Sequence, residues 1–396
     1  LLGYFLLPLL IAIPFYFSIY DLTFLSSYFE AISGFTSTGF TVFENIKQID
    51  QSLILWRSSS QWIGGLYFLF SIIFLIDIFD DSFKKSLTNY ISFNKSETLK
   101  QTFKIFLLYT LLTISIFIIL NILNIRTFNS LNLALTIISS GGFLPINDLS
   151  SIFSNNTQII VFSLLMLVSF FSIFLIYNLF FYKGRNINFF QEDINLFFYL
   201  FIFFLIFLIF FNNESNFIYI FLNLTSSVSN IGFSLETSSN NLSFVLLILV
   251  IIGGSFFSTS SGLRFLRVYS LFKYSINEVL SYSRPKNIYI NKLLFSKSNF
   301  ELEETNKYFL SILIFIISMI ILSCLLSLSG IDFESSFKLS ILTLMNTVNS
   351  SAYGLNDLNF QDFHFFSKLC LIVFMIIGRI ELLSLLIICK KFLFKS

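Results

Sequence analysis

Long apolar runs separated by short polar segments form the dominant pattern of this chain. A helix needs about 20 apolar residues to cross the hydrocarbon core of a bilayer. The pattern predicts membrane-spanning helices over residues 1–20, 61–79, 101–124, 157–182, 195–212, 242–272, 306–329 and 367–389. Apolar segments too short to span lie between the members of successive pairs, at 22–35, 127–138, 216–228 and 333–350. The expected fold class is an all-α polytopic membrane protein.

Each short apolar segment leads into a polar stretch that contains glycine. Irregular backbone at bilayer depth is tolerated only where it lines a cavity or is buried in protein. The four stretches are therefore candidate pore segments. Their candidate site residues are Thr36, Ser37, Thr38 and Gly39, then Ser139, Ser140, Gly141 and Gly142, then Ser229, Asn230, Ile231 and Gly232, and finally Ser351, Ala352, Tyr353 and Gly354.

The order span, half-helix, loop, span occurs four times, which indicates a repeated structural unit. We expect the four units to surround one central pore with pseudo-fourfold symmetry. The predicted boundaries are 1–80, 81–182, 183–297 (with a basic cytoplasmic loop over 264–297) and 298–396. The opening run, 1–20, is predicted to be a span and not a signal peptide.

Composition and charge support a membrane protein. The sequence is 56% hydrophobic and only 12% charged, whereas soluble domains have roughly 25% charged residues. The net charge of +2 gives no indication of nucleic-acid binding. Most basic residues lie between the predicted units, so the positive-inside rule makes these connections cytoplasmic and directs the glycine loops inward from outside.

The predicted loops suit a dehydrated monovalent cation. The C-terminus of a half-helix carries unpaired carbonyls and partial negative charge, and successive backbone carbonyls can replace the water of a cation. Glycine permits the backbone angles that such a loop requires. Acidic residues would make the outer vestibule attractive to cations: Asp21, Glu44, Asp50, Asp148, Glu214, Glu236, Asp332, Glu334, Asp357 and Asp362. The alternative is that each glycine merely ends a short interfacial helix as a C-cap.

The second span of the third unit contains a run of small and polar residues that predicts an unwound gate beneath the loops. The alternative is a helix interface lined by small residues. The role of Phe256 and Phe257 within the run stays open. The candidate gate residues are Gly253, Gly254, Ser255, Ser258, Thr259, Ser260, Ser261 and Gly262, together with Arg379 in the last predicted span.

Arg379 is the one basic residue that the sequence places deep in an apolar span. A charge at the helix centre costs about 2.5–3.5 kcal/mol or more, so it should face a wet path or a partner. Glu381 points to another side of the helix and is a poor partner. Two interpretations stay open for Arg379, a pore-wall charge and a structural ion pair.

Several motifs resemble the Trk/Ktr/HKT superfamily of potassium transporters, and most closely the bacterial Trk/Ktr membrane subunit. The likeness covers nearly the whole chain. The matching segments are Ser33–Phe40, Gln61–Gly65, Ser140–Phe143, Asn230–Phe233 and Gly378–Glu381.

The resemblance implies potassium uptake across the bacterial cytoplasmic membrane. It implies one pore per subunit, a homodimer, and a cytoplasmic nucleotide-binding regulatory ring. It also implies an intramembrane loop as the gate, with Arg379 in the pore wall below the filter. In this family, glycine in all four filter segments accompanies potassium selectivity, while serine in the first admits sodium. Gly39 therefore favours K⁺, with Na⁺ as a second candidate ion. The basic stretch 264–297 is either a docking surface for the ring or a solvated loop.

Other function classes have less support. A secondary transporter for another solute would be expected to show inverted repeats; the membrane subunit of a potassium-pumping ATPase has a related four-unit design. An enzyme is not predicted, because His364 is the sole histidine and no metal or acid–base cluster stands out. The cysteines, Cys324, Cys370 and Cys389, lie in apolar runs and are expected to be packing residues.

Overall fold

The computed structural model describes residues 2–74, 98–173, 175, 191–211, 217–235, 240–282, 302–355 and 358–380. By length and composition, three helices of this described part could cross a membrane: Thr102–Ile122, Glu192–Ile209 and Asn306–Leu328. The remaining described helices are shorter or less apolar.

Helices make up nearly all the regular structure of the described residues, as predicted. Residues Ile252–Gly253 (β1) and Leu263–Arg264 (β2) form a short parallel pair. In chain order the helices are α1 Leu2–Ser18, α2 Phe24–Phe35, α3 Gln51–Phe74, α4 Thr98–Ile122, α5 Thr127–Ile138, α6 Asn156–Met166, α7 Gln191–Phe211, α8 Phe217–Val228, α9 Asn240–Ile251, α10 Phe265–Ser281, α11 Leu302–Leu328, α12 Phe333–Leu344 and α13 Phe365–Ile380.

The four half-helices predicted from the sequence are α2, α5, α8 and α12. Each packs against the helix before it in the chain, and each also packs against the helix that follows the loop of the preceding unit. Thus α3 contacts α5, α6 contacts α8, and α9 contacts α12. The cycle closes because α13, from the end of the chain, contacts α2. Two large clusters of buried apolar side chains support this arrangement.

Two predicted spans are not continuous helices. In the range 157–182, α6 ends at Met166, a 3₁₀ turn follows over Leu167–Ser169, and Ser172 is non-helical. In the range 242–272, α9 ends at Ile251 and helix resumes only at Phe265. The two breaks meet, because the Ser255 N–H donates to the Phe170 carbonyl (3.0 Å) and the Ser260 N–H donates to the Ser169 carbonyl (3.2 Å). Some backbone N–H and carbonyl groups that lose their helical partners at one break therefore form hydrogen bonds with groups at the other break.

Some predictions fall outside the described residues. They include the three predicted unit boundaries, most of the basic connections, and these individual residues: Glu214, Glu236, Asp357, Glu381 and Cys389.

Asp332 caps the N-terminus of α12, and its loss should measurably weaken the helix. Its carboxylate accepts the Ser335 N–H at 2.9 Å. This hydrogen bond holds the pKa of Asp332 below its ordinary value. The stabilisation is therefore fully present above the ordinary pKa of about 3.9 and is lost as the pH falls through the lower folded-state pKa. We expect Asp332→Ala to cost about 1 kcal/mol at neutral pH and Asp332→Asn to cost less. Thermal unfolding in detergent measures both, and equal losses would contradict the capping role.

Candidate functional site

All four half-helices end in the same backbone motif. At the end of α2, the Thr38 N–H donates to the Ser33 carbonyl and the Ser37 N–H donates to the Gly34 carbonyl, both at 2.9 Å. This pair of bonds is a Schellman motif, which places the residue after the C-cap in the left-handed region. The left-handed residues are Ser37, Ser140, Asn230 and Asn346, with φ of 58°, 55°, 58° and 48°. The glycines are therefore not the C-caps of these helices.

The left-handed residue of this motif gives a common reference point for the four loops. We call residues 36–40 the first loop, 139–143 the second, 229–233 the third and 345–349 the fourth. The residue two positions beyond each left-handed residue is Gly39, Gly142, Gly232 or Val348.

These four matched positions approach one another closely. A Cβ placed on Gly39 would lie 2.7 Å from the Gly142 Cα. A Cβ on Gly142 would lie 2.4 Å from the Val348 Cβ, and one on Gly232 would lie 2.6 Å from the Val348 carbonyl oxygen. Real Cβ atoms essentially never come closer than 3.0 Å to such atoms. At these three positions there is no room for a Cβ, so each must be glycine.

Hydrogen bonds connect the second loop to the third, the third to the fourth, and the fourth to the first. Together with the close approach of Gly39 to Gly142, they join the loops in a closed order. The bonds run from the Ser140 hydroxyl to the Ser229 carbonyl, from the Asn230 amide to the Thr347 hydroxyl (3.2 Å), and from the Asn346 amide to the Thr38 hydroxyl (3.0 Å).

The sequence misplaced the fourth loop. Ser351, Ala352 and Tyr353 form a 3₁₀ turn that ends at Gly354, which has φ of 69°. Leaving out its chain neighbours, a Cβ built on Gly354 has one atom of the described residues within 4 Å, the Lys338 Nζ at 3.4 Å. The Tyr353 hydroxyl bonds the Ser227 hydroxyl of the third unit (3.0 Å), and Ser351 lines a cavity beside the loops. The matched position of the fourth loop is thus held by valine and not by glycine.

Helix α3 packs directly behind the first two loops. A Cβ on Gly64 would lie 1.8 Å from the Phe35 carbonyl oxygen, so α3 touches the end of α2. A Cβ on Gly141 would lie 2.2 Å from the Gln61 side-chain oxygen. The Gln61–Gly65 motif therefore shapes the backs of both loops. Side-chain hydroxyls hold the loops as expected: Ser33 donates to the Phe40 carbonyl at 2.6 Å.

A buried ion pair that the sequence analysis missed anchors the segments after these two loops. Glu30 and Arg57 are 0% and 1% exposed, and the Arg57 Nε donates to the Glu30 carboxylate at 2.8 Å. The other carboxylate oxygen accepts the Val42 N–H at 2.9 Å. The Arg57 guanidinium also donates to the Leu144 carbonyl (3.5 Å) and lies 4.1 Å from the Phe143 ring centre. The sequence signal that could have revealed this pair is Glu30, an acidic residue within a short apolar helix.

Apart from Arg379, the predicted gate residues all lie between α9 and α10, in residues 252–264, which we call the 252–264 segment. Thr259 brings it to the loops, because its hydroxyl donates to the Ile138 carbonyl at the end of α5 (2.7 Å). Arg264 holds the segment from within by donating to the carbonyls of Ser255 (3.1 Å) and Ser260 (3.1 Å). Arg264 is 1% exposed, so this first residue of the predicted basic loop 264–297 is buried in the protein.

Arg379 links the 252–264 segment to two of the loops. Its guanidinium donates to the Thr259 carbonyl (3.1 Å) and the Ser261 hydroxyl (2.7 Å). On the other side it donates to the Ser37 hydroxyl (3.3 Å) and the Ser139 carbonyl (3.5 Å). Arg379 is fully buried, but so are Arg57 and Arg264; the sequence was wrong to single it out as the one deep basic residue.

The two phenylalanines of the 252–264 segment are buried among apolar side chains. Phe256 and Phe257 are 3% and 2% exposed and belong to the cluster formed chiefly by α4, α5 and α6. The Phe256 N–H donates to the Glu192 carboxylate (3.0 Å) on α7. The neighbouring Asp193 carboxylate accepts the Ser172 N–H (3.1 Å). These two acids were also missed, and they attach both helix breaks to the start of α7.

A cavity of about 360 Å³ adjoins the meeting point of the loops. Its lining includes Gly142, Gly232, Val348 and one acid, Asp148. Of the other predicted vestibule acids that the structure describes, Asp21, Glu44, Asp50, Asp332, Glu334 and Asp362, none lines this cavity. Asp21, Glu44 and Asp50 line a separate cavity of about 470 Å³, and Glu334 pairs with Lys338 at 2.7 Å. Among the described residues, no group of three or more His, Cys, Asp or Glu side chains could hold a metal.

Comparisons with known proteins agree with this architecture. No family model matches the chain. The Trk system potassium uptake protein TrkH of Escherichia coli K12 is 26% identical over 402 residues, covering 95% of this chain and 81% of that protein. TrkG of the same strain is 22% identical over 403 residues, covering 95% and 80%. The crystal structure of the potassium transporter TrkH from Vibrio parahaemolyticus superposes with a TM-score of 0.82 at 20% identity, covering 98% of this chain and 83% of that one.

The helical fold and the named relatives place this chain with polytopic membrane transporters and not with enzymes. The comparisons confirm the resemblance indicated by the motifs: over most of its length the chain is similar to the Trk system potassium uptake proteins TrkH and TrkG.

Proposed function

We propose that this protein takes up K⁺ across the bacterial cytoplasmic membrane through a pore at the centre of the four units. The observation that carries the proposal is the meeting of four half-helix C-termini, joined in a closed order by their loops. Each C-terminus contributes partial negative charge at this point, which favours a cation over an anion. The relatives are named as potassium uptake proteins. Carbonyl oxygens of the loops would replace the water of the ion.

The 252–264 segment is the proposed gate. It departs from helical geometry, contacts the end of α5, and is bonded to the loops through Arg379. Movement of this segment would change the path beside the loops without disturbing the half-helices. A cytoplasmic regulatory ring and a homodimer complete the proposal, on the strength of the resemblance. The mass of the purified protein in detergent, measured by light scattering, tests the dimer.

The direct test is rescue of a potassium-uptake-deficient bacterium at low external K⁺. We expect the intact protein to restore growth and to take up isotopic K⁺ or Rb⁺, and we would compare uptake with and without Na⁺. Growth that is not restored, although the protein is found in the membrane, would contradict potassium uptake. Sodium dependence would distinguish coupled transport from channel-like passage.

Serine in place of Gly39 should weaken the preference for K⁺ over Na⁺. Gly39 has φ of 81°, and a Cβ there would lie 2.7 Å from the Gly142 backbone, so the first loop must shift. We expect the K⁺/Na⁺ flux ratio to fall about tenfold, which corresponds to roughly 1.4 kcal/mol. Gly354→Ser is the matched control, because Gly354 is also left-handed but lies away from the meeting point. Equal effects of the two substitutions on the flux ratio would contradict the assignment of the first loop.

A further inference from the structure

The ring of matched positions is not uniform, since Val348 stands where the other loops have glycine. Val348 is matched to the three glycines by backbone geometry and not by sequence similarity. Like Gly39, Gly142 and Gly232, Val348 comes two residues after the left-handed residue of a Schellman motif, here Asn346. The fourth loop therefore presents a branched apolar side chain at the position where its neighbours present only hydrogen.

The backbone explains why valine is tolerated there. Gly39 and Gly232 have φ of 81° and 86°, in a region that β-branched residues rarely adopt. Gly142 and Val348 lie outside the left-handed region. The first and third loops thus need glycine for their backbone conformation, whereas the fourth loop does not.

The isopropyl group of Val348 occupies the space beside two of the glycines. A Cβ on Gly142 would lie 2.4 Å from the Val348 Cβ and 2.9 Å from its Cγ1. A Cβ on Gly232 would lie 2.7 Å from the same Cγ1. Val348 is half-buried and lines the 360 Å³ cavity. Its side chain is therefore at the boundary between the cavity and the meeting point of the loops.

We infer that Val348 is a specificity-determining residue whose isopropyl group narrows the pore beside Gly142 and Gly232 and restricts cations larger than K⁺. The inference rests on the proposed function. A well-packed wall yields little to an oversized occupant, because extra volume in such a site forces side chains off their preferred rotamers and shifts the backbone. Removal of the side chain gives a larger, dehydrated cation the room that it lacks.

The first test is the Cs⁺/K⁺ flux ratio in proteoliposomes containing the purified protein. We expect Val348→Gly to raise this ratio about tenfold, the scale on which small changes of pocket volume alter discrimination. Val348→Ala should give a smaller rise. The matched control is Val161→Ala, because Val161 is a half-buried valine on α6 that packs against the same apolar cluster as Val348 but does not line the 360 Å³ cavity. A ratio that is the same in Val348→Gly and the wild type would overturn the inference.

The second test examines the packing itself. Gly142→Ala should lower the unfolding temperature and abolish K⁺ flux, because its Cβ would collide with Val348. In the double variant Gly142→Ala/Val348→Gly, the two closest contacts disappear and the Ile231 carbonyl oxygen at 3.1 Å remains. We expect the double variant to recover much of the unfolding temperature. Failure to recover any would show that Val348 does not fill this space and would overturn the inference.

The proposed function and the role of Val348 are contradicted by different results. Wild-type protein that carries no K⁺ in proteoliposomes would contradict the proposed function and, with it, the role of Val348. Wild-type protein that carries K⁺ with an unchanged Cs⁺/K⁺ ratio in Val348→Gly would contradict only the role of Val348.

Discussion

Alanine in place of Glu30 is expected to lower the free energy of unfolding by about 3–5 kcal/mol, the usual cost of removing one partner of a buried ion pair. Arg57 would remain 1% exposed with its charge uncompensated. The Val42 N–H would also lose its acceptor. Because Glu30 joins the exits of the first and second loops through Arg57, transport should fail together with stability. Thermal and denaturant unfolding in detergent, followed by tryptophan fluorescence, measures the loss.

An exposed pair provides the control for this substitution. Glu334 bonds Lys338 at 2.7 Å, but its side chain is 78% exposed. Glu334→Ala should therefore cost less than about 1 kcal/mol, as for surface ion pairs in general. Glu30→Gln should fall between the two, because the amide oxygen can still accept a hydrogen bond. Similar losses for Glu30→Ala and Glu334→Ala would contradict an anchoring role for the buried pair.

Loss of the Arg379 charge is expected to raise passive cation flux about tenfold or more. A unit charge about 4 Å from a passing cation repels it by about 4 kcal/mol at an effective dielectric constant of 20. Arg379→Ala also removes the bonds that connect the 252–264 segment to Ser37 and Ser139. Flux from K⁺-loaded proteoliposomes under a fixed gradient measures the change.

Two further variants distinguish the effect of the Arg379 charge from the effect of its hydrogen bonds. Arg379→Lys keeps the charge and should stay close to the wild type, whereas Arg379→Gln keeps a hydrogen-bond donor and should leak. Deletion of residues 255–261 should leak as well, because it removes Thr259 and the carbonyl that Arg379 binds. Unchanged flux in both Arg379→Ala and the deletion variant would remove the gate assignment.

The sequence predicted the half-helices well because their signal is local. The predicted segment 127–138 coincides with α5, and 22–35 and 216–228 differ from α2 and α8 by two residues or fewer. In each case an apolar run of sub-membrane length ends at a hydroxyl or amide residue suited to the left-handed position. The break within 242–272 was also visible, since small and polar residues interrupt an otherwise apolar run.

The fourth loop was misassigned because glycine was used as its marker. Gly354 is the only glycine near that position, but the Schellman motif ends α12 eight residues earlier, at Asn346. The distance from the end of the half-helix was the better guide, and it can be measured only where the helix end is known. In the other three loops, the glycine happened to lie at the right distance.

Contacts between distant segments could not be predicted from one sequence. Arg264 follows the unwound segment directly, so charge patterning assigned it to the cytoplasmic connection. Its burial depends on carbonyls of Ser255 and Ser260 that become available only because the backbone turns back on itself. The attachment of the two helix breaks to α7 through Glu192 and Asp193 is likewise a tertiary feature.

The closing contacts of the ring join segments that lie far apart in the sequence. Asn346 reaches Thr38 across a sequence separation of 308, and Arg379 reaches Ser37 across 342. During synthesis, α2 and the first loop must therefore wait, inserted but incomplete, until α13 has been made. Contacts of such long range slow assembly. We expect a nascent protein that stops before α13 to be recognised by quality-control proteases before it can dissipate the ion gradient of the cell.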